Sequence, residues 1–458
     1  MLLRLIAENI LSFKDATEFN TFPSSKSHNH DNHRVECGHA SILRMSALYG
    51  ANGAGKSNLM NVLGLLQTMV KAETLNKLNF FNLTFKLDPQ CVDSPSGVAI
   101  EFYNNNNIFY YHVEFTSREI LMEELLLSQK NKDVELFTRR GSEISINSKY
   151  AWKGIDSQFK YILKATTSKY VWNGINTQFK DIFKRIVRPN MLLLSFLGNY
   201  YSEETPIVAD AYRWFTDKLQ LVFPKSQTGL VPHLLNTNSD FAKIVSETLP
   251  ELKTGISQLK VKKTILTDDD IKEDRFIQLV KRAKDNPGTP QKYFANNDIM
   301  NIIYEDGIVY VLKMVAIHTN NDGSEVEFPL QNESDGTRRL IEYMPLLFDI
   351  INTDSVYVVD EIERSLHPIM IKDIIRKISE SQSAKGQLIF TTHESCLLDQ
   401  SIFRPDEIWF AQKDVEQATQ LYPLSDFNIH KTANIENGYL DGRYGGIPFL
   451  SNLKDLHW

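Results

Sequence analysis

Gly50-Ala51-Asn52-Gly53-Ala54-Gly55-Lys56-Ser57-Asn58 is the stretch on which the reading of this sequence turns. It contains a complete G-x-x-x-x-G-K-S element. The apolar run Ile42–Tyr49 precedes it, and an apolar-periodic segment from Lys56 to about Val70 follows. That context predicts strand, loop and helix in succession. Each residue type has a physical task in such a loop. Glycines let successive backbone N–H groups point into one concavity. The helix starting near Gly55 turns its positive dipole end to the same place. Lys56 is expected to reach the β- and γ-phosphates of ATP, and the Ser57 hydroxyl to ligate magnesium. Asn52, Gly53, Ala54, Gly55 and Asn58 complete the candidate nucleotide-binding set.

Two later strands supply matching chemistry. Ser355-Val-Tyr-Val-Val-Asp360-Glu361 is an apolar run ending in two acids. A buried strand there would deliver Asp360 beside the phosphate loop to hold magnesium, and Glu361 to polarise the attacking water as a general base. Gln387-Leu-Ile-Phe-Thr-Thr-His393 reads as another buried strand, ending in a histidine that can contact the γ-phosphate. Roughly 300 residues separate Lys56 from Asp360, too many for a compact phosphate-loop fold without an insertion.

Bulk properties bound the alternatives. The chain has 458 residues, 42% hydrophobic and 23% charged, which is enough apolar content for a sizeable core. No apolar stretch reaches bilayer length; Met191–Leu197 is the densest and is too short. The three cysteines, Cys37, Cys91 and Cys396, lie far apart and predict a reducing, cytoplasmic setting without a disulfide framework. A net charge of −7 does not favour a whole-surface nucleic-acid binder.

Along the chain, Leu2–Phe19 has strand character, and Gly97–Phe102 and Ile108–Phe115 read as strands joined by the Asn104–Asn107 turn. In the middle, Ser148-Lys-Tyr-Ala-Trp152-Lys-Gly154-Ile-Asp-Ser-Gln-Phe-Lys recurs as Ser168-Lys-Tyr-Val-Trp172-Asn-Gly174-Ile-Asn-Thr-Gln-Phe-Lys. Two copies are too few for a solenoid and read as a local duplication. Ile207–Val222 and Thr237–Leu249 have helical patterns, and Thr267–Lys284 is charged. Regular α/β character returns near Ile308. The expected fold is therefore α/β: an N-terminal half at 1–120, a mainly helical insertion at 121–307 and a C-terminal half at 308–458.

Asn332-Glu-Ser334-Asp335-Gly336-Thr337-Arg-Arg-Leu, just ahead of an apolar helix, resembles the signature loop of ABC-type ATPases. Further stretches sharpen the resemblance: Glu8-Asn-Ile-Leu-Ser-Phe-Lys-Asp15, Asp360-Glu-Ile-Glu-Arg-Ser-Leu-His-Pro368, Phe390-Thr-Thr-His393, Asp406-Glu-Ile-Trp-Phe410 and Tyr439-Leu-Asp-Gly-Arg-Tyr-Gly-Gly-Ile-Pro448. Together they resemble the AAA15 group of ABC-type ATPase heads, similar to those of overcoming-lysogenization-defect, Rad-fifty and SMC proteins, over residues 1–120 and 308–458. The resemblance implies an ATPase whose site, with ATP and magnesium at Lys56, Ser57 and Asp360, is closed by Ser334, Asp335, Gly336 and Thr337 of a second subunit. It thus implies at least a homodimer. Members of the group are often anti-phage components, for example the ATPase of PARIS, Septu, retron, AbiL and RloA-type systems. They work with a separate effector, often a nuclease, and answer a phage trigger. Two other roles use the same residues: an ATP-locked scaffold with little turnover, and a chromosome-maintenance or repair ATPase that engages DNA.

Departures from the pattern narrow these readings. The insertion has no long heptad repeat. No acidic cluster after His393 suggests that this chain cuts nucleic acid itself. Asp335 stands where many transporters have glycine, and Gln90 is the nearest glutamine to a Q-loop position. Three smaller signals remain. His28, His30, His33, Cys37 and His39 crowd one polar loop without a standard zinc spacing. Lys260-Val-Lys-Lys263 and Lys281-Arg-Ala-Lys284 offer cations that the neighbouring acids Asp268–Asp270, Glu273 and Asp274 are expected to offset. Trp152 and Trp172 are candidate anchors for a partner.

Overall fold

The computed structural model describes residues 1–27, 29–72, 83–147, 149, 187–225, 229–267, 274–295, 298–430 and 433–447. Two compact units emerge. The first comprises Met1–Leu221, Thr353–Ile362 and Ile375–Trp458, and the second Val222–Asn352 with Glu363–Ile374. The duplicated stretches at 148–160 and 168–180, with Trp152 and Trp172, lie outside the described residues, Lys149 apart.

In chain order, β1 (Leu2–Glu8), β2 (Thr17–Asn20), β3 (Arg34–Cys37), β4 (Ala40–Leu43) and β5 (Met45–Gly50) precede α1 (Lys56–Lys71). Strands β6 (Ser96–Asn104), β7 (Asn107–Phe115), β8 (Ile120–Ser128), β9 (Val134–Arg140) and β10 (Glu143–Ile146) follow, then α2 (Leu193–Tyr200), α3 (Pro206–Arg213) and β11 (Leu219–Val222). Next come α4 (Val231–Thr237), α5 (Ser239–Glu251), β12 (Ile256–Ile265), α6 (Asp274–Asp285), β13 (Gln291–Ala295), β14 (Asp298–Glu305), β15 (Ile308–Thr319) and β16 (Glu325–Pro329). The chain closes with α7 (Asp335–Asn352), β17 (Val356–Val359), α8 (Pro368–Glu380), β18 (Gln387–Thr391), β19 (Ile408–Lys413), β20 (Thr419–Pro423) and α9 (Ile435–Leu440). The fold is α/β, as the sequence predicts. No helix among the described residues is long and apolar enough to cross a membrane.

The first unit holds the sheet that matters for the site. Its order is β11-β17-β18-β5-β19-β20, with β17, β18, β5 and β19 parallel. Every residue of β5, β17 and β18 is buried, as expected for parallel strands covered on both faces. Strand β18 therefore runs between the strand leading to Gly50 and the strand leading to Asp360. The strand ends of such a sheet are where ligands collect.

A second, antiparallel sheet of the same unit runs β10-β9-β8-β7-β6-β1-β2. The β6–β7 hairpin turns on Asn105 and Asn106 at φ 48° and 63°, the paired left-handed conformation of a type I′ turn that asparagine tolerates. The sheet continues past residue 120 because β8 pairs with β7. Segment 121–307 thus contains α2 to α6 together with β8 to β14, so it is helical only in part.

The Glu123 side chain, fully buried in β8, accepts from Leu193 N at 2.6 Å, Leu194 N at 2.8 Å and Tyr111 Oη at 2.9 Å. It thereby caps α2 from across the core. Arg139 holds the chain just ahead, donating to Met191 O at 2.5 Å and Arg188 O at 3.1 Å. Removing the carboxylate strands two amides and a phenol in the interior. Glu123→Ala is expected to cost about 3 kcal/mol or more, read as a lowered urea midpoint.

In the second unit, β12-β15-β14-β13 form a sheet to which β16 adds along β15. Phe241, Val245 and Leu249 of α5 pack with Leu259, Met314, Leu330, Ile341 and Met344 in its core. Lys260, Lys262 and Lys263 pair with Glu325, Glu327 and Glu305 respectively. These acids come from other strands, brought in by the sheet; Asp268–Asp270 and Glu273, expected to offset the run, lie outside the described residues.

Candidate functional site

The phosphate loop sits where the sequence places it. Strand β5 ends at Gly50, and α1 begins at Lys56 with Gly55 at its N-cap, without a side-chain cap and without an acid in its first turn. The first amides of a 16-residue helix are thus turned toward the loop with no acid in the helix's own first turn to compete for them. Gly55 has φ 107°, and a Cβ there would lie 2.1 Å from Thr419 Oγ1. Only glycine meets both conditions. Gly55→Ala is expected to displace the loop and weaken nucleotide binding at least tenfold, checked by titration with a fluorescent ATP analogue.

Lys56 is 5% exposed and folds over its own loop, donating from Nζ to Gly50 O at 2.7 Å and Ala51 O at 3.1 Å. Asn52 and Gly53 are exposed at the loop's tip, and Ala54 is buried beneath it. Asn58, in the first turn of α1, donates from Nδ2 to Ser12 Oγ at 2.8 Å. Thr419 Oγ1 lies 2.8 Å from the same Ser12 oxygen and 2.9 Å from Ala54 O. Two hydroxyls from the N-terminal segment and from β20 therefore brace the loop from below. Sequence reading quoted Ser12 inside a motif but gave it no role, and missed Thr419 altogether. Neither spacing nor period joins residue 419 to residue 54.

The acids arrive as expected. Val359 pairs with Phe390, and Thr391 with Leu48, so the ends of β17, β18 and β5 align. Asp360 is 4% exposed. Its Oδ1 accepts from Ser57 Oγ at 3.1 Å and from Thr391 Oγ1 at 2.6 Å. Thr391 Oγ1 in turn accepts from Glu361 N at 2.8 Å. One chain of hydrogen bonds thus runs from Ser57 through Asp360 and Thr391 to the backbone of Glu361. Thr391 is a further residue to which sequence reading gave no part. Glu361 is half-buried with φ 51°, a left-handed conformation that costs a non-glycine residue and persists where the surroundings enforce it.

A hydroxyl and a carboxylate 3.1 Å apart at the mouth of the loop form the hard-oxygen donor set that magnesium takes. Ser57 and Asp360 therefore fit the metal assigned to them. His393 follows β18 by two residues and is exposed. Thr392 N, just before it, donates to Leu48 O at 3.1 Å, so His393 leaves the sheet beside the end of β5.

Ser334, Asp335, Gly336 and Thr337 belong to the second unit. Ser334 caps α7: its Oγ accepts from Thr337 N at 3.1 Å and lies 2.9 Å from Thr337 Oγ1. Asp335 opens the helix, exposed and ion-paired with Arg338. A Cβ on Gly336 would lie 2.7 Å from Ser365 O, so the close approach of two backbones excludes a side chain there. The result is an exposed, capped helix N-terminus preceded by a short loop.

The histidine-rich loop does other work. His33 is buried, with Nδ1 2.9 Å from the Glu407 carboxylate and Nε2 2.9 Å from Ser379 O. Burial pushes the Glu407 carboxyl above its usual range, and His33 opposes that shift. His30 Nε2 lies 2.8 Å from Gln400 O, and Cys37 sits in an apolar cluster with Leu3, Ile42 and Ile108. His28 lies outside the described residues. Among the described residues no group of three His, Cys, Asp or Glu is placed to hold a metal ion.

A phosphate loop on a buried parallel strand, a neighbouring aspartate and a half-buried glutamate define a P-loop nucleotide-binding fold. The chain belongs to the family described as "AAA domain, putative AbiEii toxin, Type IV TA system", whose model matches residues 45–399. That span includes β5, the loop, Ser334–Thr337, Asp360, Glu361 and His393. No curated protein matches the sequence. Similar solved structures include an SMC head bound to the C-winged helix domain of ScpA, at 12% identity over 92% of this chain and 97% of that one, TM-score 0.43. Another is the SMC head domain from Thermotoga maritima, at 14% identity over 93% and 99%, TM-score 0.36. A third is an Smc head with an extended coiled coil bound to the C-terminal domain of ScpA derived from Pyrococcus furiosus, at 12% identity over 92% and 96%, TM-score 0.39.

Proposed function

We propose that this chain is an ABC-type ATPase that hydrolyses ATP to ADP and phosphate at a site shared between two copies. The observation that carries the reading is the hydrogen-bond chain from Ser57 through Asp360 and Thr391 to Glu361. In one copy the loop amides and Lys56 hold the β- and γ-phosphates. Ser57 and Asp360 hold magnesium, which when bound neutralises charge gathering on the phosphates. Glu361 takes a proton from the attacking water, and His393 contacts the γ-phosphate. The amides that start α7 in the second copy, ordered by Ser334 and Gly336, face the same phosphate.

The cellular role we assign is the sensing and scaffolding ATPase of an anti-phage system. Nucleotide state controls a separate effector, such as a nuclease, in answer to a phage protein. The family description, with its toxin–antitoxin association, supports a role in such a system. The three cysteines are free, in keeping with a reducing cytoplasm. The pairing of Lys260, Lys262 and Lys263 with glutamates weighs against a DNA-driven enzyme.

The test is ATP turnover against protein concentration, with and without duplex DNA, using Glu361→Gln as the blank. Turnover per subunit should rise with concentration and be indifferent to DNA. Tight ATP binding with no turnover above the blank would instead leave a nucleotide-locked scaffold. Strong stimulation by DNA would restore the repair reading.

A further inference from the structure

We infer that His318 is a positioning residue for the Ser334–Thr337 loop, acting through Glu333. The inference rests on the proposed composite site and names what sets the loop's geometry within one copy.

The loop enters α7 after β16 and a single 3-10 turn, Leu330–Asn332. Leu330 is buried in the unit's apolar core, and Glu333 N donates to Leu330 O at 3.0 Å. Beyond that turn, Ser334 and Asp335 are exposed. A side-chain tie between this exposed corner and the sheet runs from Glu333 Oε1 to His318 Nε2, at 2.7 Å. The Glu333 side chain is 10% exposed and that of His318 28%, so the contact is largely shielded from water. A charge-assisted bond in such a place is short and directional.

His318 is itself fixed. It stands near the end of β15, with backbone partners Ile256 on one side and Val326 on the other. Its ring meets Phe328 edge-on at 5.0 Å. On another side lies Gly255, whose φ of 81° carries the chain past the ring; a Cβ there would sit 3.5 Å from Nδ1. Held between Phe328 and Gly255, the imidazole presents Nε2 to Glu333. The pair therefore links a rigid β-strand to the residue immediately before the Ser334 cap. An amide array acts on a phosphate only when it is held within a fraction of an ångström of the productive geometry. The loop's own hydrogen bonds, from Ser334 to Thr337, fix its shape but not its place.

The experiment measures turnover, nucleotide affinity and melting temperature for the full-length protein, His318→Ala, Glu333→Ala, the double variant and His318→Gln. Nucleotide affinity of a dilute subunit reports the Lys56 side of the site. Both alanine variants should lose about tenfold or more in turnover, with affinity for a fluorescent ATP analogue unchanged within about twofold. The double variant should fall no further than either single, since both remove one interaction. His318→Gln can still donate to the carboxylate and should recover most of the turnover. The inference is overturned if the parent shows concentration-dependent turnover and His318→Ala retains it. Parallel losses in affinity and turnover, or additive losses in the double variant, would overturn it equally, because they mark a general role in folding. A parent without turnover would overturn the proposed ATPase itself, and this inference with it.

Discussion

Glu361→Gln should bind ATP as the parent does and turn it over about 100 to 1,000 times more slowly. The substitution keeps size, shape and the backbone N–H that Thr391 accepts at 2.8 Å. It removes only the ability to take a proton from water. Asp360, not Glu361, shares the hydrogen bond with Ser57, so the metal-holding pair stays intact and binding survives. A bound nucleotide that is not hydrolysed should also hold two copies together, visible as a larger species in sizing or light scattering with ATP. A variant that retained parental turnover would remove Glu361 from the chemistry.

Lys56→Ala should produce the opposite pattern. The residue is 5% exposed, and its Nζ donates to Gly50 O and Ala51 O. A phosphate arriving there meets a positive group shielded from water, where truncating one partner of a charge pair costs about 2–5 kcal/mol. At roughly 1.4 kcal/mol per tenfold, ATP affinity should fall about 100-fold, and turnover with it. Lys56→Arg is not a conservative rescue, because the planar guanidinium cannot repeat a point donor inside so tight a loop. Isothermal titration with ATP and magnesium distinguishes the two substitutions: one loses the chemical step, the other the ligand.

Much of this was legible in the sequence where local chemistry decides the structure. The glycines before Lys56 permit one backbone path, and β5, the loop and α1 lie within three residues of the predicted bounds. Apolar runs ending at Asp360 and His393 read as buried strands, and β17 and β18 are those strands. The Asn105–Asn106 turn announced its hairpin.

Where tertiary context overrides local preference, the sequence was mute. Ile-Leu-Met-Glu-Glu-Leu-Leu-Leu-Ser, residues 120–128, is rich in good helix formers yet forms β8, with alternate residues more deeply buried. Its Glu123 reads as a surface acid and is instead a fully buried cap for α2, some seventy residues on. Thr391 stood inside a quoted motif, but its role depends on β18 lying between β5 and β17, which no spacing reveals. Thr419 and His318 are ordinary strand residues until the sheet brings Ala54 to one and Glu333 to the other. Long-range partners of this kind are set by topology, and topology is not written in any short window.

The claim that one copy supplies the phosphate loop and another the Ser334 loop is tested most directly by mixing. Lys56→Ala copies keep Ser334, and Ser334→Arg copies keep the loop. Ser334 is exposed, so its replacement should cost only the cap, about 1 kcal/mol of stability. Each preparation alone should turn over no faster than Glu361→Gln. An equimolar mixture should recover turnover, because a mixed pair contains one site with both halves intact. A mixture that stays at the blank while the parent is active, or full activity in Ser334→Arg alone, would contradict the composite site.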